Sequence, residues 1–235
     1  MRKFWSYITN GAYSVGCTGR IVYVYDQTGV EVAKFKDIRH GYNAALSPSR
    51  NLLVVKSTGA FFAVYSLDQL SLIKTVKFSD VDVSQDDGYC FSKDGGCFYN
   101  IERQRSSTNH AISVYDTANF ERVEMFLEDD EKIEPSCIEC DEDGRIFVLG
   151  FLRGDNGVIK SGFVSQFCEH GLEDIRTISV EDYEDYHDFK RLELTGFTEK
   201  AKESSGFFYR NVDMTGIEQK KLPLGKLWER AGLIR

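Results

Sequence analysis

Proline is scarce in this chain, with 3 residues in 235, and tryptophan and methionine number only 2 and 3. With 42% hydrophobic residues, that composition excludes a proline-rich or disordered chain. No run of about 18 apolar residues occurs, so no membrane-spanning helix is expected. The N-terminal Met1-Arg2-Lys3-Phe4-Trp5-Ser6-Tyr7 starts basic, but Asn10 and Gly11 interrupt before an apolar stretch of export-signal length develops, and the expected location is the cytoplasm. Positive charge is in deficit: 29 lysines and arginines face 37 acids, a net charge of −8. A large basic footprint is thereby excluded, and nucleic acid is not an expected partner. Gly-x-Ser-x-Gly, His-Glu-x-x-His and Gly-rich phosphate loops are absent. Long helical apolar stripes are missing before residue 222.

Present instead are two short patterns that recur. The first is a strand ending in an aromatic residue, usually followed by Asp: Ile21-Val22-Tyr23-Val24-Tyr25-Asp26, Phe61-Phe62-Ala63-Val64-Tyr65-Ser66, Ala111-Ile112-Ser113-Val114-Tyr115-Asp116, and a worn copy, Gly162-Phe163-Val164-Ser165-Gln166-Phe167. The aligned valines at 24, 64, 114 and 164 are spaced 40, 50 and 50 apart. The second is a hairpin: Leu46-Ser47-Pro48-Ser49-Arg50-Asn51, Phe91-Ser92-Lys93-Asp94-Gly95-Gly96 and Cys140-Asp141-Glu142-Asp143-Gly144-Arg145. Asp-Gly pairs supply the positive φ that tight hairpins need. Each hairpin leads into an apolar run such as Leu52-Leu53-Val54-Val55 or Ile146-Phe147-Val148-Leu149. The patterns alternate, so each unit holds about four short strands, at the spacing of propeller blades.

On these residues the chain resembles a divergent WD-repeat-type β-propeller, over roughly Ile21 to Phe167. The Phe-Ser-x-Asp-Gly hairpin and the Val-Tyr-Asp strand end carry the resemblance. The family's Gly-His dipeptide is missing, the chain having His40-Gly41, and Tyr stands where the family favours Trp. The family's buried Asp-His-Ser-Trp network is therefore not carried over. The expected fold is a single all-β domain over 1–235: a propeller of about five four-stranded blades, near 1–38, 39–80, 81–130, 131–182 and 183–222. Either Lys3–Ile8 completes the last blade or the ring is open, leaving edges that invite a second chain. Leu224, Leu227, Trp228 and Ala231 fall at helical spacing, so Leu224–Arg235 reads as a short helix that caps the last blade or docks a partner.

Charge is distributed unevenly. Glu121–Asp188 carries 20 acids and 6 bases, and the remainder of the chain is net +6. Three stretches expected to be inter-blade loops hold 14 of the 37 acids: Ser79–Gly88 with Asp80, Asp82, Asp86 and Asp87; Glu128–Pro135 with Asp129 and Asp130; and Glu181–Asp188. In a propeller these loops share one face. In Glu181-Asp182-Tyr183-Glu184-Asp185-Tyr186-His187-Asp188, two tyrosines and a histidine interleave with five carboxylates. Tyrosine is enriched at interfaces, and acids so placed steer a basic partner. The expected docking residues are Asp80, Asp82, Asp129, Asp130, Glu181, Asp182, Tyr183, Glu184, Asp185, Tyr186 and His187. The alternative role for this acid is solubility, with Tyr183 and Tyr186 packed inward.

Other chemistry finds less support. Asp80-x-Asp82-x-Ser84 begins like a calcium loop, but Gln85 and Phe91 replace the required glycine and glutamate. Cys137-Ile138-Glu139-Cys140 on a strand would point its two thiols to opposite faces, which rules out one shared metal. The six cysteines are expected as reduced thiols. Arg153-Gly154-Asp155 reads as a turn. The leading expectation is a non-enzymatic interaction module, of inhibitor or immunity type, that binds a basic protein without cofactor or metal. The alternatives are a propeller hydrolase or lactonase with a metal in the axial channel near His40 or His187, and a homodimer paired through blade edges.

Overall fold

A computed structural model describes residues 6–78, 88–103, 109–184 and 223–233. Sixteen strands form four separate four-stranded antiparallel sheets, each pairing its strands in chain order. The first sheet holds β1 (Ser6–Thr9), β2 (Tyr13–Cys17), β3 (Val22–Asp26) and β4 (Glu31–Phe35). The second holds β5 (Gly41–Leu46), β6 (Leu52–Ser57), β7 (Phe61–Ser66) and β8 (Ser71–Lys77). The third holds β9 (Tyr89–Phe91), β10 (Cys97–Arg103), β11 (His110–Asp116) and β12 (Glu121–Phe126). The fourth holds β13 (Ile133–Cys140), β14 (Ile146–Arg153), β15 (Ile159–Cys168) and β16 (Gly171–Ile178), and the helix α1 (Leu224–Leu233) follows. The first four expected blades match these sheets within a few residues. The expected fifth blade lies outside the described residues, except that 183–184 belong to a helical turn over 180–184 rather than to a strand.

The recurring Val-Tyr-Asp pattern has a physical basis in each of its parts. Every valine marks the onset of a β-bulge in the outermost strand. Val24 pairs with Ala33 while Tyr25 pairs with Glu31, leaving Val32 as the extra residue. In the second and third sheets the extra residues are Ile73 and Val123, opposite Val64-Tyr65 and Val114-Tyr115. In the fourth, the shift falls between Val164 and Gln166. Such bulges twist an edge away from further pairing. The tyrosines Tyr25, Tyr65 and Tyr115 are buried, and Tyr65 stacks on Phe35 at 4.1 Å between ring centroids. The Asp caps the next turn: Asp26 accepts from the Thr28 amide at 2.8 Å, the Thr28 hydroxyl at 2.6 Å and the Val30 amide at 3.0 Å. Asp116 accepts from Ala118, and Ser66 does the same for Gln69.

Those turns end on a left-handed residue: Gly29 in the first sheet, Leu70 (φ 50°) in the second and Phe120 (φ 53°) in the third. Only glycine takes that conformation without steric cost. Gly150 answers a different need, because a Cβ there would lie 2.2 Å from the Glu134 carbonyl oxygen on β13.

The described chain divides into two compact units, one holding the first two sheets and the other the last two with α1. In the first unit, Val15, Cys17, Val22 and Val24 meet Leu53, Val55, Ala63 and Tyr65 around Phe35 and Ile38. In the second, Ile101 and Ile112 meet Ile138, Val148, Phe163 and Phe167. The other face of the fourth sheet, with Cys137, Phe147, Leu149 and Val164, is covered by Tyr183, Leu224 and Leu227. The helix is therefore a cap on the fourth sheet, with its apolar side turned inward. Arg176 locks it there: its guanidinium lies 3.4 Å from the centroid of the Trp228 ring and donates to the Trp228 carbonyl at 2.6 Å.

The paired left-handed positions give a prediction of opposite signs. Leu70 is 37% exposed, whereas Phe120 is 3% exposed and packs near Phe98. Leu70→Gly is expected to stabilise the protein by roughly 0.5–1 kcal/mol through relief of backbone strain. Phe120→Gly should cost about 2–4 kcal/mol, because the lost core ring outweighs the same relief. Urea unfolding of both variants measures the pair.

Candidate functional site

Charge separates by unit. Residues 6–78 carry eight bases and four acids, a net +4, whereas the described part of the second unit carries 10 bases and 22 acids, a net −12. Which of those acids are available to a partner depends on what each already holds.

Many belong to the fold. Asp94 accepts from the Gly96 amide at 2.9 Å and the Ser92 hydroxyl at 2.6 Å. Asp141 accepts from the Asp143 amide at 2.9 Å and, at 2.8 Å each, from the amide and side-chain Nε of Arg145. Desolvation alone would raise the Asp141 pKa, but the backbone and side-chain hydrogen bonds from Arg145 and the charge of its guanidinium hold the carboxyl below its ordinary value. Asp26 is likewise held low, chiefly by the Thr28 hydroxyl. Glu102 is fully buried: its Oε1 accepts from Tyr115 at 2.7 Å and Asn100 at 2.9 Å, and its Oε2 lies 3.8 Å from Arg122. Burial and the adjoining carboxylate push the Tyr115 phenol well up, which keeps it a proton donor.

At one end of the fourth sheet the arrangement differs. The β12–β13 connection, the β14–β15 hairpin and the turn after β16 all emerge there, since an up-and-down sheet returns its odd connections to the same end. Glu134 belongs to β13, not to a loop as the sequence suggested, and is held by Arg153 through Nε at 2.6 Å and Nη2, with His110 at 3.7 Å. Lys132 pairs with Asp155 at 2.8 Å, and Arg230 of α1 reaches Asp182 at 3.5 Å. Asp130 caps its own turn, accepting from the amides of Lys132 and Ile133. Asp129, Glu131, Glu181 and Glu184 are exposed and make no ion pair among the described residues.

The expected docking residues thus separate. Asp129, Glu181 and Glu184 lie at this end with their carboxylates exposed. Asp130 and Asp182 lie there too but are engaged. Tyr183 is corrected: it is 6% exposed, packs on Phe151 and donates its hydroxyl to Ser136 Oγ at 2.8 Å, so its side chain belongs to the core. The reason is that 179–184 is a capped helical turn. The Ser179 hydroxyl accepts from the Asp182 amide at 2.9 Å, and the Tyr183 amide bonds the Ser179 carbonyl at 3.1 Å. Ser179-Val180-Glu181-Asp182 carries the spacing of a capping box, the signal that would have turned Tyr183 inward. Asp80, Asp82, Asp185, Tyr186 and His187 lie outside the described residues, as does the calcium-like stretch at 80–84. Glu131 is the addition that the structure makes to the set.

The cysteines are free thiols. Cys137 and Cys140 sit on opposite faces of the fourth sheet, in separate cores, as strand alternation requires. Burial raises the Cys140 pKa, which leaves it a weak nucleophile. Among the described residues no three His, Cys, Asp or Glu side chains gather as a set for one metal ion. No described helix is long and apolar enough to cross a membrane.

Comparison with known proteins bears on the fold. No protein-family model and no curated protein matches the chain. Among solved structures it is similar to hydrazine synthase of Kuenenia stuttgartiensis, at 19% identity over 72% of this chain and 47% of that one, with a TM-score of 0.56. It is similar to the WD40 domain of Toxoplasma gondii coronin, at 16% identity over 74% and 45% of the two chains and a TM-score of 0.56. The WD40 domain of Neurospora crassa Pan2 is similar at 10% identity over 75% and 52%, with a TM-score of 0.53. The chain spans about half the length of each. At these identities the likeness speaks for fold alone, and the fold is a divergent, WD-repeat-like β-propeller of four-stranded blades with a short C-terminal helix.

Two predictions follow from the division of the acids. A carboxyl held low in the folded state stabilises it fully above the unfolded value of 3.8, and that contribution is lost as pH falls through the folded value. Asp141→Asn should therefore lower stability at pH 7 and flatten the acid limb of the stability curve below about pH 4. Denaturant unfolding across that range measures it. Tyr183→Phe, which removes only the hydroxyl paired with Ser136, should cost about 1 kcal/mol of stability and leave the charge of this end unchanged.

Proposed function

We propose that this chain is a non-enzymatic protein-interaction module that binds a basic partner at the acidic end of its second unit. The observation that carries the proposal is the set Asp129, Glu131, Glu181 and Glu184, unpaired among the described residues, on a unit whose described residues carry a net charge of −12. Like charges left unneutralised on a folded surface cost stability through repulsion, and a complementary partner relieves that cost while its approach is steered. A WD-repeat-like fold is compatible with an interaction role in general. Asp80, Asp82, Asp185, Tyr186 and His187 extend the proposed surface, while Asp130 and Asp182 shape it. In its narrower form the proposal is an inhibitor that neutralises a basic toxin or enzyme.

The test is affinity capture from host lysate with the wild type beside a variant carrying Asp129→Asn, Glu131→Gln, Glu181→Gln and Glu184→Gln. A basic protein retained by the wild type, with affinity lowered about ten- to hundredfold by the variant and by added salt, is the expected result. Recovery of the same proteins by both baits, or of none specifically, would overturn the proposal.

A further inference from the structure

In the fourth sheet the two central strands run on where their neighbours stop. β13 pairs with β14 as far as Leu152, and β16 pairs with β15 as far as Gly162. The hairpin ribbon 154–160 therefore projects beyond both flanking strands. It carries two adjacent branched apolar residues in water, Val158 at 62% and Ile159 at 40% exposure. The ribbon is nonetheless held in one shape. Its turn closes through the Gly157 amide to the Gly154 carbonyl at 2.8 Å and the Gly154 amide to the Val158 carbonyl at 2.9 Å, with Gly157 at φ 73°. Arg153 donates through Nη1 to the Gly157 carbonyl at 2.7 Å while its other nitrogens hold Glu134. Lys132 ties down Asp155 from the adjoining connection. Order of this kind at an exposed tip lowers the entropy lost on binding.

Sheet order sets the surroundings of the ribbon. The 127–132 connection enters β13 on one side of it, and the 179–184 turn leaves β16 on the other. Asp129 and Glu131 therefore stand on one flank and Glu181 and Glu184 on the other. Within the ribbon Asp155 is balanced by Lys160, the extra residue of the bulge beside Ile159, so the charge of this surface comes from its flanks. An apolar centre inside a charged rim is the anatomy of a protein-binding surface. We propose that Val158 and Ile159 are the apolar anchor of the acidic end, and that its partner is a basic protein whose contact face carries an apolar centre. The proposal rests on the reading of this end as the docking surface and adds what the partner must present besides charge. Carboxylates on both flanks repel an anionic lipid surface, which excludes that occupant.

Fluorescence anisotropy of the full chain with two lysine-rich peptides of equal charge, one carrying leucines at its centre and the other serines, tests it. The leucine peptide is expected to bind the wild type at least about tenfold more tightly than the serine peptide. Val158→Thr/Ile159→Thr keeps the branched shape that strands favour. It should erase that margin and leave the affinity for the serine peptide unchanged, which also shows that the variant is folded. Equal affinities of the two peptides for the wild type, or a margin that survives in the hairpin variant, would overturn the proposal. The variant lacking the four flanking carboxylates separates the anchor from the charge: it should weaken both peptides. If it binds both as the wild type does, the acidic docking surface falls while the anchor stands or falls on its margin. If neither peptide binds the wild type, both fall. A sedimentation mass that rises with concentration for the wild type and not for the hairpin variant would make the occupant a second copy and overturn the proposal as well.

Discussion

A sheet with two apolar faces has to be covered on both, and much of this molecule follows from that requirement. On β6 the side chains of Leu53, Val54, Val55, Lys56 and Ser57 are all buried, and on β14 Ile146 through Gly150 are. Such strands cannot alternate between core and water as a half-exposed sheet does. In the first unit the two sheets meet on one face, around Phe35 and Tyr65. The second packs its two sheets around Ile101 and Phe163, and then spends a helix on the remaining face of the fourth. The Arg176–Trp228 clamp belongs to the same solution, since it fixes a ten-residue helix that would be marginal alone.

The burial requirement also explains why the repeats are visible while the motifs of a more regular propeller are worn. Each unit needs an apolar run, a turn and a bulged outer strand, and many side chains satisfy those roles. Tyr65 and Tyr115 fill the interior by different means, one stacked on Phe35 and the other bonded to Glu102. Ser66 replaces Asp at a turn cap, and Leu70 or Phe120 replaces Gly at a left-handed position. Architecture therefore persists at identities of 10–19%, where function does not transfer.

The four sheets could be read from the sequence because Val24, Val64, Val114 and Val164 recur against a fixed structural event, the bulge. The helix could be read from the spacing of Leu224, Leu227 and Trp228. The candidate site was legible only in part. Acidic density is a property of composition, whereas availability depends on hydrogen bonds formed after folding. Nothing in the local sequence distinguishes Asp130, which caps a turn, from its neighbour Asp129, which caps nothing, until the chain path is known. Tyr183 was misplaced for a different reason: a single helical turn is too short to show periodicity, and only the Ser179 cap announces it.

The capping helix has a consequence in time. It begins at Leu224, whereas the sheet that it covers is complete at Ile178, about 45 residues earlier. At 5–20 residues per second, the ribosome needs roughly 2–9 s to make the intervening chain. Through that interval the helix cannot shield Phe147, Leu149 and Val164. Nascent chains on neighbouring ribosomes would present this same unfinished surface together, and a synthesis-coupled chaperone would find an apolar target there.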